Sequence, residues 1–272
     1  MKYTIVVARP TGNGWERVEI GTSLVEIVAQ SLSDPELSPL IDDVLHVPIQ
    51  KFPTDTARNT LVKAAQEKRA DFLFTMDVDG APKVGTFKAL FNFLRVQPMP
   101  SVAGAPYISG DNSVQVFEFT TKQVHNGSLE TWALTRVDKN RASLLQGTGF
   151  GRVASIGTHC VMYDMRVFDK IKPPYFQYGY DEDHTAVVET EDCWAARTLF
   201  HAGVPIWCAW DYPARHFKEI GLDIMPPLPL NVIPEFYQRQ ANAHAAFETA
   251  KQSVPSEKDA TRIRLPATPA TS

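Results

Sequence analysis

Two aspartates separated by one residue, Asp77 and Asp79, directly follow the apolar run 72–76. In open α/β sheets, ligands bind outside the carboxyl ends of the strands, so a carboxylate pair at such an end is well placed for binding. Carboxylate oxygens suit a hard divalent cation, Mg²⁺ or Mn²⁺, which keeps positions for water and phosphate. Similar spacing of acids recurs within 181–191. The metal-site interpretation of Asp77 and Asp79 therefore depends on their position at the end of a strand, not on their spacing. From the motif alone, a solvated acidic turn is an equal alternative.

Two further signals lie towards the carboxyl terminus. Glu191 and Asp192 open a predicted helix, where the helix dipole favours carboxylates in any case, so simple capping competes with a role as general base. His216 follows a predicted strand and could complete a mixed nitrogen and oxygen site suited to Mn²⁺, although a lone histidine is more often a packing residue.

The remaining motifs are weaker. The glycines of 147–151, including Gly149, permit close backbone approach, and a substrate-contacting loop and a tight inter-strand turn explain them equally well. The segment matches neither the dinucleotide fingerprint nor the phosphate-binding loop. Trp194 is one of several aromatic residues that could stack on a sugar or a base, although most of them are expected in the core. His159 beside Cys160 suggests a nucleophilic pair, but no oxyanion motif accompanies it, and it is discounted.

The first hundred residues alternate apolar runs with helical periodicity, which predicts βαβ units, a parallel sheet and right-handed crossovers. We expect strands at 3–8, 44–49, 72–76 and 101–105, and helices starting near Ser23, running from 54 or 55 to 68, and following the third strand. Ser23 with Glu26 resembles a capping box.

The pattern then changes. We expect antiparallel strands at 114–119 and 130–137 joined by a turn at 125–127, a strand at 160–163, a short helix at 164–171, an irregular loop at 172–190, a helix at 191–202, a strand at 205–210 and a helix at 234–251. The Pro/Thr/Ala-rich tail 253–272 is expected to be disordered.

Composition narrows the protein class. The chain has 272 residues, 44% of them hydrophobic, which fits one large α/β domain. A net charge of −4 argues against a general nucleic-acid coat. Three cysteines without a CxxC pair indicate a reducing compartment. The first apolar run is too short for a signal peptide, and no segment is long enough to span a membrane, so we expect a cytoplasmic protein.

Taken in order, these motifs resemble the GT-A glycosyltransferases, particularly compact family-2-like and phage-encoded members with a DxD motif. The resemblance covers about residues 3–217 and is carried by the segments 8–10, 57–59, 70–79, 157–163, 191–197 and 202–207, and by His216.

The resemblance implies an α/β fold with a Rossmann-like half and a mixed central sheet, fused to a smaller acceptor-side region. It divides a single domain, 1–252, into a nucleotide-sugar half (1–110), an acceptor and metal half (111–220) and an extension (221–252). The site residues it implies are Ala8, Pro10, Arg58, Asp77 and Val78 for the nucleotide, Asp77, Asp79 and His216 for the metal, Asp192 for the base, and Glu191, Trp194 and Gly149 for the substrate. The implied activity is hexosyl transfer from a nucleotide-diphosphate sugar, with UDP favoured, Mn²⁺ or Mg²⁺ as cofactor and an inverting outcome.

Two other functions remain open. A nucleotidyltransferase that makes nucleotide sugars would use a similar sheet, but it normally carries an amino-terminal glycine-rich loop with a basic residue, and 11–14 is too short and lacks lysine. A non-catalytic nucleotide-sugar binder would need no base. The acceptor is a polysaccharide, lipid, protein or modified DNA base, with DNA least favoured by the acidic balance.

Overall fold

The structure is a computed structural model, which describes residues 2–10, 18–50, 53–108, 113–119, 122–123, 129–130 and 134–217. These residues all belong to one compact unit, Met1–Glu219. The predicted turn at 125–127, the extension 221–252 with its helix, and the tail 253–272 lie outside the described residues. The predicted domain limits therefore stay predictions.

The described part of the chain alternates strands and helices through its first half and is richer in strands after α3. In chain order the elements are β1 (Tyr3–Pro10), α1 (Val18–Ser33), β2 (Ile41–Ile49), α2 (Thr54–Glu67), β3 (Phe72–Met76), β4 (Gly80–Ala81), α3 (Thr86–Leu94), β5 (Val102–Gly104), β6 (Val116–Phe119), β7 (Lys122–Gln123), β8 (Leu129–Glu130), β9 (Leu134–Arg136), α4 (Lys139–Leu145), β10 (Phe150–Val153), β11 (Ser155–Ile156), β12 (Cys160–Asp164), a 3₁₀ helix (Met165–Asp169), β13 (Gly179–Tyr180), β14 (Val187–Glu189), α5 (Glu191–His201), β15 (Ile206–Ala209) and β16 (Arg215–His216).

A seven-stranded mixed sheet in the order β10-β15-β5-β12-β3-β1-β2 forms the centre. Strand β1 runs parallel to β2 and β3, and β15 runs parallel to β5. Strand β12 is antiparallel to both of its neighbours, and β10 is antiparallel to β15. The predicted α/β class with a mixed central sheet is confirmed. The sequence predicts that the strand at 101–105 joins the parallel sheet directly. Instead, the antiparallel strand β12 lies between β5 and β3.

Both faces of this sheet are covered, and β1 shows why its sequence is continuously apolar. Val6 and Ala8 point into one hydrophobic cluster together with α2 and α5, whereas Ile5 and Val7 point into a second cluster with α1 and α3. All four side chains are fully buried. A strand buried on both faces needs apolar residues at every position, not at every second one. The sheet therefore lies between two helical layers, and this packing holds in place the strand ends next to which the candidate site lies.

Three local predictions need correction. Helix α1 begins at Val18 and not near Ser23, because the Ser23 hydroxyl donates to the carbonyl of Glu19 one turn earlier and so lies inside the helix. The segment 172–190 is not wholly irregular, because β13 and β14 pair there as a hairpin. The predicted helix 164–171 is a shorter 3₁₀ helix. The antiparallel pairing predicted for 114–119 and 130–137 is confirmed between β6 and β9.

Within the described part of the chain, no helix combines the length and the apolar character needed to cross a membrane.

Candidate metal and catalytic site

The register between β3 and β12 brings Asp77 and His159 together at the carboxyl end of β3. Cys160, the first residue of β12, pairs with Met76, the last residue of β3. Because the two strands are antiparallel, the residue that follows β3 lies opposite the residue that precedes β12. The amide of Asp77 accordingly donates to the carbonyl of His159 at 3.0 Å. The buried Thr75 hydroxyl lies 3.1–3.2 Å from the carbonyls of Thr158 and Val161 and fastens this segment to β3.

A second strand pair brings His216 to Asp79. Strands β4 and β16 are antiparallel, with His216 opposite Gly80. The amide of Phe217 donates to the carbonyl of Asp79 at 2.6 Å. The two-residue strands thus hold the segment after β15 against the aspartate turn, although Asp79 and His216 are 137 positions apart in the sequence.

Asp79, His159 and His216 each offer one ligand atom within 4.8 Å of one another. His216 Nε2 lies 3.2 Å from Asp79 Oδ2, and His159 Nδ1 lies 3.6 Å from Asp79 Oδ1. Ligands about 2.1 Å from a six-coordinate ion are about 3 Å apart when adjacent and about 4 Å apart when opposite. Within the described residues, the buried Nδ1 of His216 has no hydrogen-bond partner. The donor set and its spacing fit a divalent cation after small adjustments.

The His159 ring is almost fully enclosed, with 1% of its side chain exposed. Its Nε2 lies 3.3 Å from the carbonyl oxygen of Arg215, which only accepts, so Nε2 carries the proton and donates. Burial lowers the pKa of His159 and outweighs the opposing effect of Asp77 and Asp79. The neutral ring therefore presents the Nδ1 lone pair towards the two aspartates.

Gly80 makes room for this ring. A Cβ atom on Gly80 would lie 1.7 Å from His159 Nε2, so no other residue type fits here without moving the imidazole. The Tyr107 ring packs against both imidazoles. Its centroid lies 4.5 Å from that of His159 and 5.0 Å from that of His216.

Arg58 connects the aspartate turn to the start of α5. Its Nη1 and Nη2 donate to the two carboxylate oxygens of Asp77 at 3.1 and 3.0 Å, and its Nε donates to Glu191 Oε1 at 3.1 Å. Only 5% of the Arg58 side chain is exposed. Burial raises the pKa of Glu191, and the Arg58 charge opposes this rise. The guanidinium predicted to contact the nucleotide is thus already held by two carboxylates.

Asp192 lies at the first turn of α5, where Thr190 is the N-cap residue. Its Oδ1 accepts from the Thr190 hydroxyl and from the Cys193 amide. Burial raises the pKa of Tyr107, and the charges of Asp192, Asp77 and Asp79 raise it further. Among the described acids of the site, Arg58 pairs with two, Asp77 and Glu191. The remaining negative charge of Asp79 and Asp192 favours a bound cation.

The other predicted substrate residues, Trp194 and Gly149, make contacts of a different kind. Trp194 is half-buried one turn into α5, with the guanidinium of Arg197 4.6 Å from its ring centroid. Gly149 has a φ of 78°, a left-handed conformation that favours glycine, and its carbonyl accepts from the Trp210 amide. A Cβ atom on Gly149 would meet nothing within 4 Å. The space there is open.

Three positions predicted for the nucleotide lie at the same edge of the sheet. Ala8 is fully buried in β1, so its side chain has no surface for a ligand. Pro10 ends β1 and is half-buried, as is Val78 between the two aspartates. Their roles stay predictions.

Sequence reasoning missed His159 and Tyr107. The sequence signal at His159 pointed to its neighbour Cys160, but that thiol is fully buried and burial raises its pKa strongly, which agrees with discounting a nucleophile. The ligand position of His159 depends on the pairing of β12 with β3, which no local pattern encodes.

No protein-family model matches this chain, and no curated protein matches it. Among solved structures, A197 from STIV is similar with a TM-score of 0.47 and 15% identity, over 80% of this chain and 87% of that one. GalNAc-T7, solved with UDP, GalNAc and Mn²⁺, is similar with a TM-score of 0.44 and 10% identity, over 79% of this chain and 44% of that one. Similarity at this level assigns neither a family nor an activity.

Proposed function

We propose that this chain is a metal-dependent glycosyltransferase that moves a sugar from a nucleotide-diphosphate donor, with UDP favoured, to an acceptor hydroxyl. The observation that carries the proposal is the cluster of Asp79 and His216 after the end of β3. Arg58 links the neighbouring Asp77 to the start of α5, the helix that carries Asp192. A metal site beside a carboxylate that can act as base is the machinery such a transfer needs.

The charges of the site support a divalent cation with phosphate ligands. Asp79 Oδ2 and His216 Nε2 lie 3.2 Å apart, so both would hold one divalent cation, whose remaining positions would be free for donor oxygens. When bound, the cation acts as a Lewis acid that stabilises the negative charge on the departing nucleoside diphosphate. Asp79 is 40% exposed, so this side of the cluster is open to a ligand.

Arg58 orients the residues around that cation. Its paired hydrogen bonds fix both oxygens of Asp77, so in this role Asp77 faces the ribose or a metal-bound water and Asp79 is the direct ligand. The bond from Arg58 to Glu191 ties the first residue of α5 to the same guanidinium. In this account Arg58 and Glu191 position the site, whereas Pro10 and Val78 line the nucleotide.

Asp192 is the base in this proposal. Its Oδ1 accepts two local hydrogen bonds, which leaves Oδ2, as far as the described residues show, for the acceptor hydroxyl. The acceptor oxygen loses its proton to Asp192 as it attacks the anomeric carbon, and the bond from that carbon to the diphosphate oxygen breaks on the opposite face. The outcome is inversion at the anomeric carbon. Trp194 stays a predicted acceptor contact, and Arg197 lies over one face of its ring at 4.6 Å from the centroid.

The first experiment measures slow donor hydrolysis with Mn²⁺ and a panel of UDP- and GDP-sugars. We expect turnover of at least one donor, its loss on chelation, and its loss in Asp79→Asn. The matched control is Asp43→Asn, which changes an exposed carboxylate on β2 and should retain wild-type turnover.

Two other results would contradict the proposal. Release of pyrophosphate from a nucleoside triphosphate and a sugar phosphate would assign nucleotidyl transfer. Donor binding without turnover, whatever the metal and acceptor, would assign a binding protein.

A further inference from the structure

We propose that His159 Nδ1 binds the cation directly, beside Asp79 and His216, so that the site selects a transition-metal ion such as Mn²⁺ or Co²⁺ over Mg²⁺. This inference rests on the proposed function for the presence of a cation. It adds a ligand that the sequence motif does not contain, and with it a class of metal.

The hydrogen bond at the far side of the ring sets up this role. Nε2 donates to the Arg215 carbonyl, and this second hydrogen bond is the arrangement that orients metal-binding histidines and fixes their tautomer. The Nδ1 lone pair then faces Asp79 Oδ1 at 3.6 Å and Asp77 Oδ2 at 3.9 Å. Carboxylate oxygens cannot donate to it, so a cation between these atoms removes an otherwise repulsive contact.

The competing explanation is a protonated His159 that forms ion pairs with the two aspartates. Charge-assisted N–H···O bonds are about 2.7–2.9 Å long. Both Nδ1 separations are longer than this by 0.7 Å or more, a gap that accommodates an ion better than a shared proton. The distances therefore favour metal binding.

The ring cannot turn away from this position. Gly80 lies against one part of it, with Nε2 1.7 Å from the place where a Cβ would stand. The rings of Tyr107 and His216 pack on it at centroid distances of 4.5 and 4.7 Å. A ligand held in this way is preorganised, because binding the ion costs little side-chain entropy.

The ligand set determines the metal class. Mg²⁺ prefers an all-oxygen shell and near-ideal octahedral geometry, whereas imidazole nitrogen suits first-row transition metals. One carboxylate with one imidazole leaves the choice between Mn²⁺ and Mg²⁺ open. Two imidazoles and one carboxylate shift it towards Mn²⁺ and Co²⁺.

The test uses the full chain after removal of metal by a chelator. Pulsed electron paramagnetic resonance of bound Mn²⁺ counts directly coordinated nitrogens, and calorimetry measures the affinities for Mn²⁺ and Mg²⁺. The variants are His159→Phe, which keeps a ring without nitrogen, and His159→Asn, which offers an oxygen. The control is His201→Phe, since His201 is an exposed residue at the end of α5.

We expect two coordinated nitrogens in the wild-type protein and one in His159→Phe, with Mn²⁺ affinity lower by about 10- to 100-fold, comparable to losses seen when metal-site partners are removed. His159→Asn should recover part of the affinity but prefer Mn²⁺ over Mg²⁺ less strongly. His201→Phe should match the wild-type protein.

A single coordinated nitrogen in the wild-type protein would overturn the inference even if no His159 variant folds. If donor hydrolysis is still Mn²⁺-dependent in that case, the proposed function stands. Absence of Mn²⁺ binding with and without UDP would overturn both.

Discussion

Replacing Arg58 by leucine tests the network that holds Asp77 and the start of α5. The guanidinium is 5% exposed and donates to carboxylates that are 22% and 11% exposed, Asp77 and Glu191. Removing one partner of such a buried pair leaves uncompensated charge and costs about 3–5 kcal/mol. Because one guanidinium serves two carboxylates here, we expect the free energy of unfolding near pH 7 to fall by about that amount.

The loss should depend on pH. In the wild-type protein the pKa of Glu191 is already raised above its usual 4.5 by burial, and Arg58 limits the rise. In Arg58→Leu the rise is larger, so the folded protein holds this proton more tightly than the unfolded chain does. The destabilisation is then fully present above the folded-state pKa and is relieved as the pH falls through that pKa towards 4.5.

The assay is urea denaturation followed by tryptophan fluorescence, at about pH 7 and about pH 5. The control is Arg197→Leu, because Arg197 also forms an ion pair, but with one carboxylate, Glu189, and with 31% of its side chain exposed. It should lose about 1 kcal/mol, with little dependence on pH. Equal losses of stability in the two leucine variants, or a loss in Arg58→Leu that is the same at both pH values, would refute this role for Arg58.

Three further results are expected. Asp192→Asn should lower the initial rate of transfer by about 10²- to 10⁴-fold and leave the Mn²⁺–UDP affinity, measured by calorimetry, within about twofold. Equal losses of affinity and rate would exclude Asp192 as the base. Gly80→Ala should weaken Mn²⁺ binding in calorimetry, because the new Cβ would lie 1.7 Å from His159 Nε2. Unchanged affinity would show that metal binding does not depend on the position of the His159 ring. In a native thiol titration Cys160 and Cys208 should not react, since both are buried and burial raises the pKa of each thiol; all three cysteines reacting before unfolding would contradict this.

The sequence predicted the part of the site that local patterns determine. The apolar run of β3 and the two aspartates after it mark a strand end, and the strand and turn lie where that pattern places them. Likewise the acids at 191 and 192 begin α5 as expected. These features depend on hydrophobic periodicity and helix capping, which act over a few residues.

The part of the site that the sequence did not predict depends on pairing between residues far apart in the chain. His159 became a neighbour of Asp77 only because β12 inserts antiparallel between β3 and β5. Arg58 similarly reaches Asp77 and Glu191 across separations of 19 and 133 residues. Ser23 shows the opposite error, since a residue typical of a helix start can also bond one turn back inside a helix.

The most direct measurement is a crystal of the full chain soaked with MnCl₂ and UDP, with the ion located by its anomalous scattering. We predict one Mn²⁺ peak within bonding distance of Asp79 Oδ2 and His216 Nε2, with diphosphate oxygens among its other ligands. Bound UDP with no ion at these two residues, or an ion bound elsewhere on the chain, would contradict the account.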